Sequence, residues 1–155
     1  NRRQRDGRHG LVQSGSGAIM SRQPLARQRA KHALEKIEAM KAEDDGHLSA
    51  HIAGFPAMIL MSGFGQACAF YLSKGGTRKL VYDALESWLT SPGKPYASAT
   101  GTCELITAIS SNNAATYRLA QTEALAYLDW LKKFAKAFLK NEGQDTSAQP
   151  EGATV

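Results

Sequence analysis

His47 and His51 stand four residues apart, a spacing that sets two imidazoles on one face of a helix and supplies half of a metal site. Zinc sites usually take three protein ligands or more, and no carboxylate or third imidazole repeats at matching helical spacing. Glu43, Asp44 and Asp45 come before a break at Gly46. His32 has only Glu35 and Lys36 at suitable offsets and reads as a surface or half-buried histidine. Gly63-Phe64-Gly65 lacks the GxxxxGK[ST] spacing of a phosphate loop, and no strand precedes it. Gly75-Gly76-Thr77-Arg78-Lys79 is a better anion candidate, because a turn that opens a helix points free N–H groups outward. A helix stop followed by a cap explains those glycines equally well, but not the neighbouring Lys74, Arg78 and Lys79. No serine or threonine sits in a nucleophile elbow. These residues predict no enzyme, no metal and no cofactor; a helical hydrolase using a metal on His47 and His51 is the competing catalytic reading.

Charge points elsewhere. Residues 20–140 hold 15 Lys and Arg against 10 Asp and Glu, an excess of +5. Residues 1–19 carry +3 and residues 141–155 carry −3, so the basic character belongs to the middle of the chain. A basic domain suits an anionic partner, nucleic acid or a membrane surface, although ordinary solubility charge is the plain alternative. No run approaches 18 apolar residues, so no membrane span is expected. Cys68 and Cys103 lie in apolar surroundings without CxxC spacing, as buried reduced thiols of a cytoplasmic protein would.

The elements that carry these residues read as helices, with no period-2 strand pattern. The expectation is an all-α, compact bundle of about five or six helices, a single domain within the 155-residue chain. Residues 1–19 resemble an expression leader and 141–155 a flexible polar tail, leaving 20–140 as the bundle. A first helix, 23–43, repeats Ala26, Ala30, Ala33, Ile37 and Met40 on one face, with Arg22, Arg29 and Lys36 on another strip. A second segment, 47–74, should kink or restart at Phe55-Pro56; beyond it Met58, Met61, Gly65, Cys68 and Leu72 form one stripe of a nearly all-apolar, central helix. Gly63 and Gly65 inside that helix imply close packing. Thr77 is placed to cap a third helix with Val81, Ala84, Leu85 and Trp88 inward, and a short fourth spans 102–110. Asn112 and Asn113 precede a long fifth helix, 114–140. Ala124, Leu128, Leu131, Ala135 and Phe138 form its core stripe. Arg118, Thr122, Leu125, Asp129, Lys132, Lys136 and Lys140 form a largely basic one, about 33 Å long. That strip could follow several phosphates or be a solvated face in which Asp129 neutralises Lys132 or Lys133.

Three segments in order resemble one family. They are Phe55-Pro56 through Gly63-Phe64-Gly65-Gln66 to Phe70-Tyr71-Leu72-Ser73-Lys74; Tyr117-Arg118 with Gln121-Thr122-Glu123-Ala124-Leu125; and Trp130-Leu131-Lys132-Lys133-Phe134-Ala135. An arginine-bearing first helix and Trp88-Leu89 fit the same order. The family is the small subunit of the Cmr complex, the RNA-targeting type III-B CRISPR effector. The resemblance covers about 22–140. It implies a non-catalytic helical bundle present in several copies, stacked as the minor filament along the guide-bearing backbone subunits. It further implies basic surfaces lining the channel for guide RNA and target RNA, with cleavage left to the backbone subunits and signalling chemistry to the large subunit.

On that resemblance RNA contact falls first on Arg118, Lys132, Lys133 and Lys136. Arg22, Arg27, Arg29, Lys74, Arg78 and Lys79 follow from local charge. A structural role competes at each; Arg118 in particular could pair with a buried Glu123. The expected partners are backbone and large subunits, further copies of the chain, and guide and target RNA, with no membrane. The alternative is a helical protein–protein interaction module unrelated to nucleic acid, docking through the apolar face of its first helix.

Overall fold

The computed structural model describes residues 23–99 and 104–139. The expected leader, Arg22, Cys103, Lys140 and the polar tail lie outside these described residues. Within them are six α-helices and no strand: α1 (Leu25–Met40), α2 (Leu48–Ser62), α3 (Phe64–Lys74), α4 (Gly76–Leu89), α5 (Glu104–Ser111) and α6 (Ala114–Phe138). A 3₁₀ turn, Lys41–Glu43, follows α1. The all-helical bundle expected from the periodicity is therefore present.

Helix α6 is the spine. Helices α1, α2 and α4 pack on it, α3 packs on α2 and α4, and α5 lies across α3 and α4. The helix starts at Asn113, whose side-chain oxygen accepts the Thr116 N–H at 2.9 Å, satisfying one of the orphan donors at a helix start. Ala120, Ala124, Tyr127, Leu128, Leu131 and Ala135 are its buried stripe. Phe138, expected in that stripe, instead stands 49% exposed with Lys41 over its ring.

Pro56 does not break its helix; α2 runs through it from Leu48 to Ser62. Proline forfeits one backbone bond, costing about 3 kcal/mol. Ile52, Phe55 and Ile59 around it are at most 1% exposed, and burying three such side chains outweighs that loss. The break falls at Gly63, with φ +91° and ψ +156°, a conformation open essentially to glycine alone. Because the register restarts there, the expected Met58–Leu72 stripe is split: Met61 points to solvent, while Cys68 stays inside. Gly65 does mark close packing. A Cβ there would sit 3.2 Å from Ile109 Cγ2, and its N–H donates to the Tyr117 hydroxyl at 3.0 Å.

Thr77 is buried but does not cap α4. Its hydroxyl faces the His51 Nδ1 at 2.8 Å and donates to Asp45 at 3.4 Å, linking α4 to the start of α2. The start of α5 is capped from a distance. Glu86 accepts the Leu105 N–H and the Tyr82 hydroxyl accepts that of Ile106, each at 3.0 Å, while Tyr82 donates to Glu86.

Candidate nucleic-acid interface

Nine of the ten basic residues singled out by sequence lie among the described residues, in distinct environments. Arg29 is drawn into the bundle. Its Nε and Nη2 both donate to Glu123 at 2.7 Å, and Glu123 also accepts the Trp88 Nε1–H at 2.9 Å. The side chains of Arg29 and Glu123 are only 19% and 12% exposed, so this bidentate pair joins α1, α4 and α6 in a largely dry setting. Burial raises the Glu123 pKa, but the bonds from Arg29 and Trp88 prevail and hold it below its ordinary value. Glu123 thus has Arg29 as its partner, where sequence offered Arg118.

Two lysines are neutralised locally. Lys133 reaches Asp129 at 2.8 Å and Lys79 reaches Asp83 at 3.0 Å, both one helical turn apart and exposed. Lys74 and Arg78 flank the half-buried Phe70 ring, 5.2 and 5.7 Å from its centroid, a cation–π pair at the α3–α4 junction. Arg27, Arg118, Lys132 and Lys136 are exposed, and their side chains have no ion-pair partner among the described residues.

Lys132 and Lys136 line a groove of about 370 Å³ with Ser49, Ala50 and Ala53. The lysines come from the last three turns of α6 and the small residues from the first two turns of α2, so the two helices run antiparallel. The other flank of the same α2 start meets α4. Burial chiefly, and then the nearby Arg78 charge, lower the His51 pKa. Cations therefore stand on two flanks of the first turns of α2: Lys132 and Lys136 on one side, Arg78 on the other. Arg118 stands apart, 14 residues and about 21 Å back along α6 from Lys132.

The remaining candidates are engaged within the fold. His47 and His51 have ring centroids 6.2 Å apart, and the His51 Nδ1 is occupied by Thr77. Among the described residues no group of three or more His, Cys, Asp or Glu side chains comes together that could hold a metal ion. His32 borders an open depression of about 590 Å³ beside Trp88 and Lys94, yet both ring nitrogens are occupied, Nδ1 by the Tyr127 hydroxyl at 2.7 Å and Nε2 by Ser87 at 3.1 Å. Its ring also meets Trp88 and Tyr127, which stack on each other at 5.4 Å. Burial above all, and Lys36 next, keep its pKa below the ordinary 6.5. Sequence marks His32 only as surface or half-buried; its partners lie 55 and 95 residues away, beyond the reach of local spacing. Burial pushes the Cys68 thiol strongly up. No helix among the described residues is long and apolar enough to cross a membrane.

Comparison with known proteins agrees with this architecture. The family described as CRISPR-associated protein (Cas_Cmr5) matches residues 25–138. The fold is similar to the crystal structure of a CRISPR-associated Cmr5 family protein from Thermus thermophilus. The TM-score is 0.64 at 23% identity, over 76% of this chain and all of that one. The family match extends from the first residue of α1 to the last of α6, and the chain accordingly belongs to the Cmr5 family, the small subunits of the type III-B CRISPR Cmr complex.

Proposed function

We propose that this chain is a non-catalytic structural subunit of a cytoplasmic Cmr ribonucleoprotein. Several copies stack as a minor filament and grip the guide–target RNA duplex through the basic end of the bundle. The observation that carries the reading is the placing of Lys132 and Lys136 on one flank, and Arg78 on the other, of the start of α2. An A-form duplex is held by phosphates and 2′-hydroxyls, with sequence left to base pairing, so the protein needs cations on rigid helices rather than base-reading side chains. Lys132 and Lys136 meet that requirement directly, with Arg118 and Arg27 as outlying contacts. Lys133 and Lys79 are weaker contributors because each carries an acidic neighbour. The Arg29 guanidinium serves the bundle.

Protein contacts have a separate place. Leu60 and Met61 at the end of α2 are 71% and 86% exposed, and Leu119 near the start of α6 is 65% exposed. The antiparallel pairing of α2 with α6 puts all three toward the end opposite the lysine groove. Large apolar side chains left open in this way suit a protein neighbour, either another copy or a backbone subunit.

Co-purification with a tagged chain tests the reading. Recovery of the other Cmr subunits with guide RNA supports it, and replacing Lys132, Lys133 and Lys136 together by Glu should weaken target-RNA binding by the assembled complex while leaving helicity unchanged. Unchanged affinity at moderate salt would remove RNA from this face. Capture of protein partners without RNA would favour a purely protein-binding module.

A further inference from the structure

Besides its two lysines, the groove between α2 and α6 is lined by a largely buried polar side chain whose hydroxyl the fold leaves unpaired. Ser49 is only 9% exposed, yet its hydroxyl has no hydrogen-bond partner among the described residues. Nor is the oxygen sealed off in the manner of the Tyr96 hydroxyl, the buried unpaired atom of the described core. Ser49 lines the groove with Ala50 and Ala53 on one wall and Lys132 and Lys136 on the other. A hydroxyl open to a groove but without a protein partner is left for water or a ligand to satisfy.

Its position in the helix sharpens the point. Ser49 is the second residue of α2, a helix of 15 residues whose N-terminus has no side-chain cap. The N–H groups of the first turn are therefore free of side-chain acceptors at the positive end of the helix dipole. The acidic residues just before the helix are turned to other tasks. Asp44 accepts the Gly46 N–H and Asp45 the His47 N–H, each at 2.9 Å, and neither lines the groove. Small side chains at Ala50 and Ala53 leave the wall open to a bulky tetrahedral group.

We propose that this groove is a seat for a single phosphate group. The Ser49 hydroxyl and the first-turn amides of α2 donate to its oxygens, and Lys132 and Lys136 neutralise its charge. The seat rests on the RNA-contact reading above and deepens it: it fixes where one phosphate of the backbone is held and adds a neutral donor to the lysines. Ser49 sits two residues before His51 and outside every segment that resembles the family by sequence.

Two measurements test the seat separately from the wider reading. In the first, amide ¹H–¹⁵N signals of Ser49 and Ala50 are followed in the full chain during titration with a short RNA duplex and, separately, with inorganic phosphate. Movement with RNA assigns the seat to a backbone phosphodiester, movement with phosphate alone assigns it to a free anion, and both require that Lys132→Gln with Lys136→Gln abolish the shift. Stillness in both titrations overturns the seat. In the second, the reconstituted complex carries Ser49→Ala or the double lysine substitution. Ser49→Ala should weaken RNA binding about three- to ten-fold, the net worth of one hydrogen bond, without lowering the melting temperature. The lysine pair should weaken it further. A loss with the lysines and none with Ser49→Ala sinks the seat and leaves the RNA reading standing; no loss with either sinks both.

Discussion

Replacing Arg29 with alanine strips Glu123 of both guanidinium bonds and leaves it the Trp88 Nε1–H alone. Removing one partner of a buried ion pair costs about 3–5 kcal/mol because the other charge is stranded. Here the side chains retain 19% and 12% exposure, and water can recover part of the loss. The expected cost is therefore about 2–4 kcal/mol. For a chain of this size that is a fall in melting temperature of about 5–12 °C, read by circular dichroism at 222 nm and pH 7. Arg29→Met combined with Glu123→Leu removes both charges together and should recover most of the loss, short of the bond that Trp88 gives up. RNA affinity of the assembled complex should stay at the parent value for Arg29→Ala at a temperature where it is folded. A melt within about 2 °C of the parent, or a loss of RNA binding without a loss of stability, would refute the assignment of Arg29 to the bundle.

Other substitutions probe other joints. Gly63→Ala meets no atom within 4 Å, yet φ +91° is hostile to a Cβ; it should cost about 1–3 kcal/mol, and an unchanged chemical-denaturation midpoint would show that the turn relaxes freely. Leu128→Asp or Leu131→Asp puts an unpaired charge at a position with no exposure and should unfold the domain; a cooperative melt near that of the parent would remove these residues from the core. In a Cys103→Ser background the Cys68 thiol should resist a thiol reagent until the chain is denatured, because burial disfavours its thiolate; rapid labelling of native protein would contradict its place at 0% exposure. Acidification should destabilise the fold in two windows. The His32 pKa is depressed, so below 6.5 the unfolded chain takes up a proton that the folded chain refuses, and stability falls with pH; the depressed Glu123 adds a second loss below its ordinary 4.5. A melting temperature that is flat from pH 7.5 to 4 would contradict both.

Much of the bundle is legible in the sequence because periodicity survives in single helices. Asn113 and the Ala124–Leu128–Leu131–Ala135 stripe of α6 are local facts, set by 3.6-residue repeats and cap chemistry. Pro56 and Gly63 escape such reasoning because their roles are decided by tertiary burial and by backbone conformation, neither of which spacing reveals. The segments that carry the family resemblance include the joints of the fold: the Tyr117 hydroxyl accepts from Gly65, and Glu123 gathers Arg29 and Trp88. Such residues announce the architecture more than the ligand. The basic face is half legible. Lys132 and Lys136 lie on one helical strip, but their proximity to Ser49 spans more than 80 residues of chain and is created only when α2 and α6 pack. Which cations are already neutralised is visible only for pairs within a turn, as with Lys133 and Asp129.

The salt dependence of target-RNA binding by the reconstituted complex is the decisive measurement. Each phosphate neutralised releases counterions and steepens the fall of log K with log salt by about 0.7–0.9. Lys132→Gln with Lys136→Gln in this subunit should weaken binding and make that slope shallower, by about 0.7–0.9 for each phosphate that is no longer neutralised. Parallel lines with equal affinity for parent and variant complexes would mean that the lysine end of this bundle faces away from the RNA.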